Sequence, residues 1–123
     1  MMLTRGYDGT RAYCQSKLAQ ILFTVSLAER LAGSFVTVTS LHPATYMNTS
    51  MVLTAGHTPI SKVEDGADAV LNLALAPALD GVTGAYFNRQ QRARPDPQAA
   101  DPQARAALWR LSLDLCGLPE HSV

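Results

Sequence analysis

A short β-branched segment, FVTVTSL at residues 35–41, lies between two stretches whose apolar residues recur with helical spacing. Such a segment predicts a strand, and TGAYFN at residues 83–88 predicts a second one. Two strands joined through a helix form a βαβ unit, in which the strands run parallel. The sequence therefore predicts an α/β fold in the order helix, strand, helix, strand, helix.

The bounds of the three helices follow from capping residues at their ends. The predicted ends are Asp8 or Thr10 to Ala32 with Gly33 as the C′ residue, a capping box of Ser61 and Glu64 to about Ala76, and Asp101-Pro102 to Gly117. Residues 42–60 form a long connection, which inside a compact domain is typical of a functional lid or a mobile segment.

The two strands are too few for a complete parallel sheet. Parallel sheets are covered by helices on both faces and contain more strands than this. The strand at 35–41 would keep an open, apolar edge. We therefore expect residues 1–123 to form a single incomplete domain that is part of a larger sheet.

Charge and hydropathy exclude several classes of function. Ten basic and ten acidic side chains give a formal net charge of zero, so no overall attraction to nucleic acid is expected. Arg89, Arg92 and Arg94 form a local basic cluster that is best interpreted as a solvated loop. No apolar stretch is long enough to span a membrane. The opening residues carry no apolar signal core followed by a cleavage site.

The two cysteines, Cys14 and Cys116, predict buried thiols in a reducing cytosol rather than a disulfide framework, so we expect a cytoplasmic protein. The spacing of His and Cys residues resembles no metal site, and no metal is expected.

The segment AYCQSKLAQILF, residues 12–23, places Tyr13 and Lys17 four positions apart on the first predicted helix. Residues at this spacing share one helix face. A phenol exchanges protons poorly at neutral pH, and a nearby cation favours its ionised form. The pair suits proton transfer to or from an alcohol or carbonyl oxygen. A surface lysine beside a half-buried tyrosine would have the same spacing, and a short motif alone does not separate the two interpretations.

Further motifs follow in a fixed order. Ser16 precedes Lys17, LHPATYMNTSM follows the first strand, and GVTGAYFN and DPQARAALWRLSLDLCGL come later. Over nearly the whole chain this series resembles the C-terminal half of short-chain dehydrogenases/reductases, most closely the retinol-dehydrogenase-like and WW-domain-oxidoreductase-like branch. The resemblance implies a partial Rossmann-like fold, the C-terminal part of a doubly wound parallel sheet, with about two strands and three helices.

The resemblance also implies roles for the residues of the segment AYCQSKLAQILF. Tyr13 matches the catalytic acid/base of the family. Lys17 matches the residue that makes this tyrosine more acidic and that hydrogen-bonds the nicotinamide ribose. The implied cofactor is NAD or NADP, and the reaction is the interconversion of an alcohol and a carbonyl.

The segment after the first strand would complete the cofactor site. Pro43 and Ala44 match a Pro-Gly turn of the family, and the backbone then passes the nicotinamide carboxamide near Tyr46. The threonine that touches the carboxamide or a phosphate in the family corresponds to Asn48 in the simple register, with Thr49 one position later.

Residues 44–60 match the substrate-covering lid, and their apolar side chains favour a small lipophilic alcohol or carbonyl substrate. The same side chains, Met47, Met51, Val52 and Leu53, would also serve an ordinary core.

The resemblance does not extend to the N-terminal half of the family, which binds the dinucleotide. No Gly-rich turn of the G-x-G type precedes the first predicted strand. We therefore expect the catalytic C-terminal portion of an NAD(P)-dependent oxidoreductase, weakly active or inactive by itself. One alternative is a non-catalytic truncated module that forms a homo-oligomer or binds a partner supplying the missing half. A third interpretation is that the protein extends upstream of Met1.

Overall fold

A computed structural model of the chain describes residues 6–119. Residues 1–5 and 120–123 lie outside this range. The expectation that the opening residues hold no signal core therefore falls partly outside the described residues. The regular elements are the helices α1 (Gly9–Arg30), α2 (Ser50–Thr54), α3 (Val63–Leu75) and α4 (Pro102–Cys116) and the strands β1 (Ser40–His42), β2 (Tyr86–Asn88) and β3 (Gln91–Ala93). Single 3-10 turns lie at Pro77–Leu79 and Pro97–Ala100.

The strands form one mixed sheet in the order β1-β2-β3. β1 runs parallel to β2, with Ser40 opposite Tyr86, and β2 runs antiparallel to β3, with Phe87 opposite Arg92. The helix α3 lies in the chain between the two parallel strands. The predicted βαβ unit and the partial Rossmann-like α/β fold are confirmed, while the described part of the chain has one strand and one short helix, α2, more than predicted.

Both predicted strands are shorter than the sequence patterns that identify them. The pattern at 35–41 corresponds to β1, which begins only at Ser40, although the Val38 carbonyl still accepts from the Gly84 N–H at 2.7 Å. The pattern at 83–88 corresponds to β2, which begins at Tyr86. Gly84 has φ +66°, a left-handed conformation that interrupts regular pairing at this point.

The third strand, β3, lies in a segment for which the sequence predicts a loop. It is joined to β2 by the two-residue turn Arg89-Gln90, in which Arg89 adopts φ +55°. Hairpin turns with a positive φ usually carry Gly, Asn or Asp, so this turn has no recognisable signal in the sequence. The basic cluster of Arg89, Arg92 and Arg94 therefore belongs to a hairpin and the residue after it, in place of the expected loop.

The first helix begins as predicted and ends early. The Asp8 carboxylate accepts from the Arg11 N–H at 2.6 Å and caps the N-terminus. The helix ends at Arg30 with Leu31 as its C-cap, so the prediction that it reaches Ala32 is wrong. Gly33 lies in the following turn at φ +85° rather than at the C′ position.

The later helices follow their predictions more closely. The capping box of α3 is displaced by one residue, because the Lys62 N–H donates to the Asp65 carboxylate at 2.8 Å, in place of Ser61 and Glu64. The helix ends at Leu75, close to the predicted end. α4 has the predicted caps: the Asp101 carboxylate accepts from an N–H of the first turn, and Gly117 at φ +64° ends the helix.

The best-packed part of the molecule is the contact between α1 and α4. The indole of Trp109 stacks on Phe23 with ring centroids 5.3 Å apart, and the guanidinium carbon of Arg30 lies 4.2 Å from the indole centroid. Arg105 Nη2 contacts Glu29 Oε1 at 3.0 Å across the same interface. These contacts hold the two helices together on one face of the sheet.

The helix α3 and the segment before β1 are less covered. Their exposed large apolar side chains are Phe35, Val36, Val70, Leu71 and Leu75, besides Val63 at the start of α3. The thiols of Cys14 and Cys116 are free and exposed, so the prediction of buried thiols is wrong. Among the helices within residues 6–119, none has both the length and the hydropathy that crossing a membrane requires.

Candidate active site

Tyr13 and Lys17 lie on the same face of α1, in its first turns, as their spacing predicts. The Tyr13 side chain is about half exposed, at 51%. Lys17 Nζ lies 5.4 Å from the centroid of the Tyr13 ring, within the range of a cation–π contact. The Ser16 hydroxyl donates to the Tyr13 carbonyl at 2.7 Å. The phenol and the ammonium are therefore neighbours that remain accessible to a ligand.

The position of this pair follows from the direction of α1. β1 follows α1 after a connection of nine residues and runs back beside it, and the two elements line a common groove. Ser16, three residues after Tyr13, and Leu41, two residues before Pro43, both line this groove. The first half of α1 and the strand β1 therefore border one groove.

The turn after β1 is built tightly. Ala44 is buried, at 6% exposure. The His42 ring and the Thr45 hydroxyl form a hydrogen bond at 3.0 Å, which closes the turn around Pro43 and Ala44. The His42 carbonyl accepts from the Arg89 N–H at 2.7 Å, so the turn is also attached to the end of β2.

Tyr46 has a strained backbone at φ +44°, in the left-handed region that usually favours glycine. This conformation costs a non-glycine residue about 1–3 kcal/mol and persists only where the surroundings hold it. Here the Tyr46 ring stacks on His57 with centroids 4.5 Å apart, and its carbonyl accepts from the Ile60 N–H at 3.0 Å. These contacts close the base of the segment that carries α2.

The next residues attach this segment to α3. Met47 forms an isolated parallel bridge with Ser61, and the Asn48 N–H donates to the Ser61 carbonyl at 3.1 Å. A Cβ atom at Gly66 would lie 2.5 Å from Met47 Sδ, so the Met47 side chain packs directly against α3 at this glycine. Thr49 is the N-cap of α2, but its side chain makes no capping hydrogen bond.

The apolar residues of the predicted lid divide into two groups. Val52 is buried and contributes to the core. Met51 and Leu53 are exposed, at 64% and 57%, on the surface of α2. The core interpretation therefore accounts for Val52, whereas Met51 and Leu53 remain available to a ligand.

Sequence reasoning does not identify two contributors to this region. Neither His42 nor His57 is singled out by the sequence patterns, yet each holds one end of the segment from 42 to 57. A His three residues before a Thr, with Pro between them, is the signal that would identify the first contact. Within residues 6–119, no three His, Cys, Asp or Glu side chains are grouped so that they could hold a metal ion.

Comparison with known proteins adds the following relationships. The chain is 38% identical to retinol dehydrogenase 13 of Homo sapiens over 98% of its own length and 40% of that protein. It is 38% identical to retinol dehydrogenase 11 of Mus musculus over 92% of its length and 38% of that protein. It is 35% identical to WW domain-containing oxidoreductase of Danio rerio over 88% of its length and 28% of that protein.

No family model matches the chain. No solved structure matches it either. The chain spans two fifths or less of each relative reported above, although the matches cover most or nearly all of its own residues. These similarities and the partial α/β fold agree with the resemblance carried by the Tyr13 and Pro43 segments. The chain belongs to the family of short-chain dehydrogenases/reductases.

Proposed function

We propose that the chain is the catalytic C-terminal portion of an NAD(P)-dependent short-chain oxidoreductase that interconverts an alcohol and a carbonyl. The observation that carries this proposal is the accessible Tyr13–Lys17 pair on one face of α1. The names of the relatives support oxidoreductase chemistry in general.

Tyr13 would exchange a proton between its hydroxyl and the substrate oxygen. Lys17 Nζ lies 5.4 Å from the centroid of the Tyr13 ring, so both side chains would contact the same bound ligand. The half-exposed position of Tyr13 leaves room for a substrate oxygen to reach it. When bound, a nicotinamide cofactor supplies or accepts the hydride.

The described residues fit the nicotinamide end of such a cofactor. The buried, small Ala44 and the closed turn at Pro43 form a fixed backbone surface beside the strand ends, and the peptide groups up to Thr49 continue it. Lys17 and Tyr46 would also contact the nicotinamide end of the cofactor. Within residues 6–119, no Gly-rich turn before β1 offers a site for the pyrophosphate, and we expect the isolated chain to be weakly active or inactive.

The substrate we propose is a small lipophilic alcohol or carbonyl compound. The exposed Met51 and Leu53 on α2 would cover it. The name retinol dehydrogenase, which several relatives carry, agrees with this class. We also propose that the protein is cytoplasmic.

A second candidate function is a non-catalytic interaction module. It is favoured by the exposed apolar side chains of α3 and of the segment before β1, which a second copy or another polypeptide could cover. Under this alternative the Tyr13–Lys17 pair is a surface contact without a chemical role.

The test is a chimera in which this chain replaces the matching region of human retinol dehydrogenase 13, assayed for retinol oxidation with NAD and with NADP. Tyr13→Phe removes only the acid/base hydroxyl, so we expect turnover to fall at least about 100-fold, the scale of general acid–base catalysis. Tyr7→Phe is the matched control, because Tyr7 is 81% exposed, and should change turnover by less than about twofold. Equal turnover of the two variants would refute the catalytic role of Tyr13.

A further inference from the structure

The outer edge of β3 is the basic edge of the sheet. The other outer edge within residues 6–119 belongs to β1, and the segment from 35 to 41 that leads into it has no charged side chain. The segment from 89 to 94, by contrast, carries three arginines and no acidic residue. All three arginines are exposed, and none of them has an ion-pair partner within the described chain. Three positive charges are therefore concentrated on one hairpin and the residue after it.

The backbone at this edge is available for pairing. The two-residue turn between β2 and β3 makes Asn88 and Gln91 a hydrogen-bonded pair. Neighbouring residues of a strand direct their peptide groups to opposite sides. The N–H and the carbonyl of Arg92 therefore point toward the free edge, as those of Thr39 and Leu41 do at the edge of β1.

The side chains beside this free peptide group suit an acidic partner. Arg92 lies opposite Phe87, and Arg94 follows two positions later, the spacing at which side chains of an extended chain share one side. The first acidic residue after them, Asp96, caps the next turn, since its carboxylate accepts from the Gln98 N–H at 2.8 Å. A strand added to this edge would bring its own side chains to about 5 Å from that of Arg92. Carboxylates at alternate positions of such a strand would pair with both guanidinium groups.

We propose that the β3 edge binds an acidic, extended segment of another protein as an added strand. A second copy of this chain is disfavoured, because pairing two β3 edges would bring arginines against arginines, and like charges across a sheet are destabilising. Nucleic acid is disfavoured because the formal net charge is zero and because a phosphodiester chain has no repeating N–H and carbonyl groups to extend the sheet. A peptide uses the free backbone and the charges together.

The test titrates the full chain with a peptide of about ten residues in which glutamate alternates with threonine, the length of a long strand. NMR spectra and amide hydrogen exchange follow the binding. The exchange of the Arg92 amide should slow at least about tenfold when the peptide is bound. The same peptide with glutamine in place of glutamate is the control and should bind at least about tenfold more weakly. Added salt should also weaken binding, because it screens exposed charges.

Two substitutions at one position separate the charge from the backbone. Arg92→Gln removes the guanidinium and keeps the N–H, so binding should weaken about threefold. Arg92→Pro removes both, and binding should weaken at least about tenfold, while proline at an outward-facing edge position leaves the sheet hydrogen bonds in place. Arg110→Gln removes an exposed guanidinium from α4 and should bind like the parent chain.

The outcomes decide both the site and its occupant. Absence of binding, or binding that leaves the exchange of the Arg92 amide unchanged, would overturn the site. Equal binding of the glutamine peptide would overturn the acidic partner. Equal protection of this amide by oligothymidylate, or in a dimer of the chain alone, would overturn the choice of a peptide from another protein. If Arg92→Pro does not fold, the exchange pattern of the parent chain decides. None of these readouts depends on a cofactor or on turnover, so they leave the proposed function untouched.

Discussion

The two sides of the molecule differ in how completely they are packed. On the α1–α4 side, Trp109 is 6% exposed and contacts both the Phe23 ring and the Arg30 guanidinium. On the other side, Phe35 is fully exposed and Leu71 of α3 is 54% exposed. Large side chains are buried on the first side, whereas the buried residues of α3 are the small Gly66 and Ala69.

This difference shows which contacts the chain can form by itself. The α1–α4 interface joins elements far apart in the sequence and forms a small core without any outside contribution. Within residues 6–119, β1 is an edge strand of the sheet, and large apolar side chains of α3 are exposed.

The largest expected effect is that of removing the central aromatic residue of the packed side. Trp109→Ala deletes the stack on Phe23 and leaves a cavity between α1 and α4, so we expect the free energy of unfolding to fall by about 3–5 kcal/mol. Urea unfolding followed by circular dichroism measures this loss. Phe35→Ala is the matched change on the open side, and its transition should coincide with that of the parent chain. Equal losses for the two variants would contradict the division into packed and open sides.

The smallest expected effect is that of adding a charge to the open side. Leu71→Lys places an ammonium on the exposed face of α3, where the side chain already contacts water, so stability should change by no more than about 0.5 kcal/mol. The matched change on α4, Leu113→Lys, would bury that charge and should prevent cooperative unfolding, because Leu113 is only 7% exposed. Thermal unfolding of both variants provides the measurement. A large loss in Leu71→Lys would show that α3 is covered in solution.

Much of the fold could be predicted from sequence because it depends on local signals. The caps at Asp8, Asp101 and Gly117 and the parallel pairing of two strands separated by a helix follow from residue type and order. The length of β1 could not be predicted, because strand composition is local but pairing needs a neighbour. The strand β3 could not be predicted either, because the turn at Arg89 adopts a positive φ without glycine or asparagine.

The candidate site was predictable to a similar extent. The common face of Tyr13 and Lys17 follows from helical spacing, and the structure places the two side chains together. The left-handed backbone of Tyr46 and its stack on His57 depend on contacts between residues well separated in the sequence, which no local pattern encodes. The roles of these residues toward a cofactor remain proposals.

Amide hydrogen exchange of the chain alone, resolved by residue in NMR spectra, tests the central claim that β1 is an open edge of the sheet. Amides of the packed part of α1, such as that of Leu22, should exchange at the slow rate set by global unfolding. The Thr39 and Leu41 amides should exchange about 100-fold faster or more, while the Ser40 amide, which bonds to Ala85, should be slower than both. Protection of Thr39 and Leu41 equal to that of Leu22 would contradict this claim.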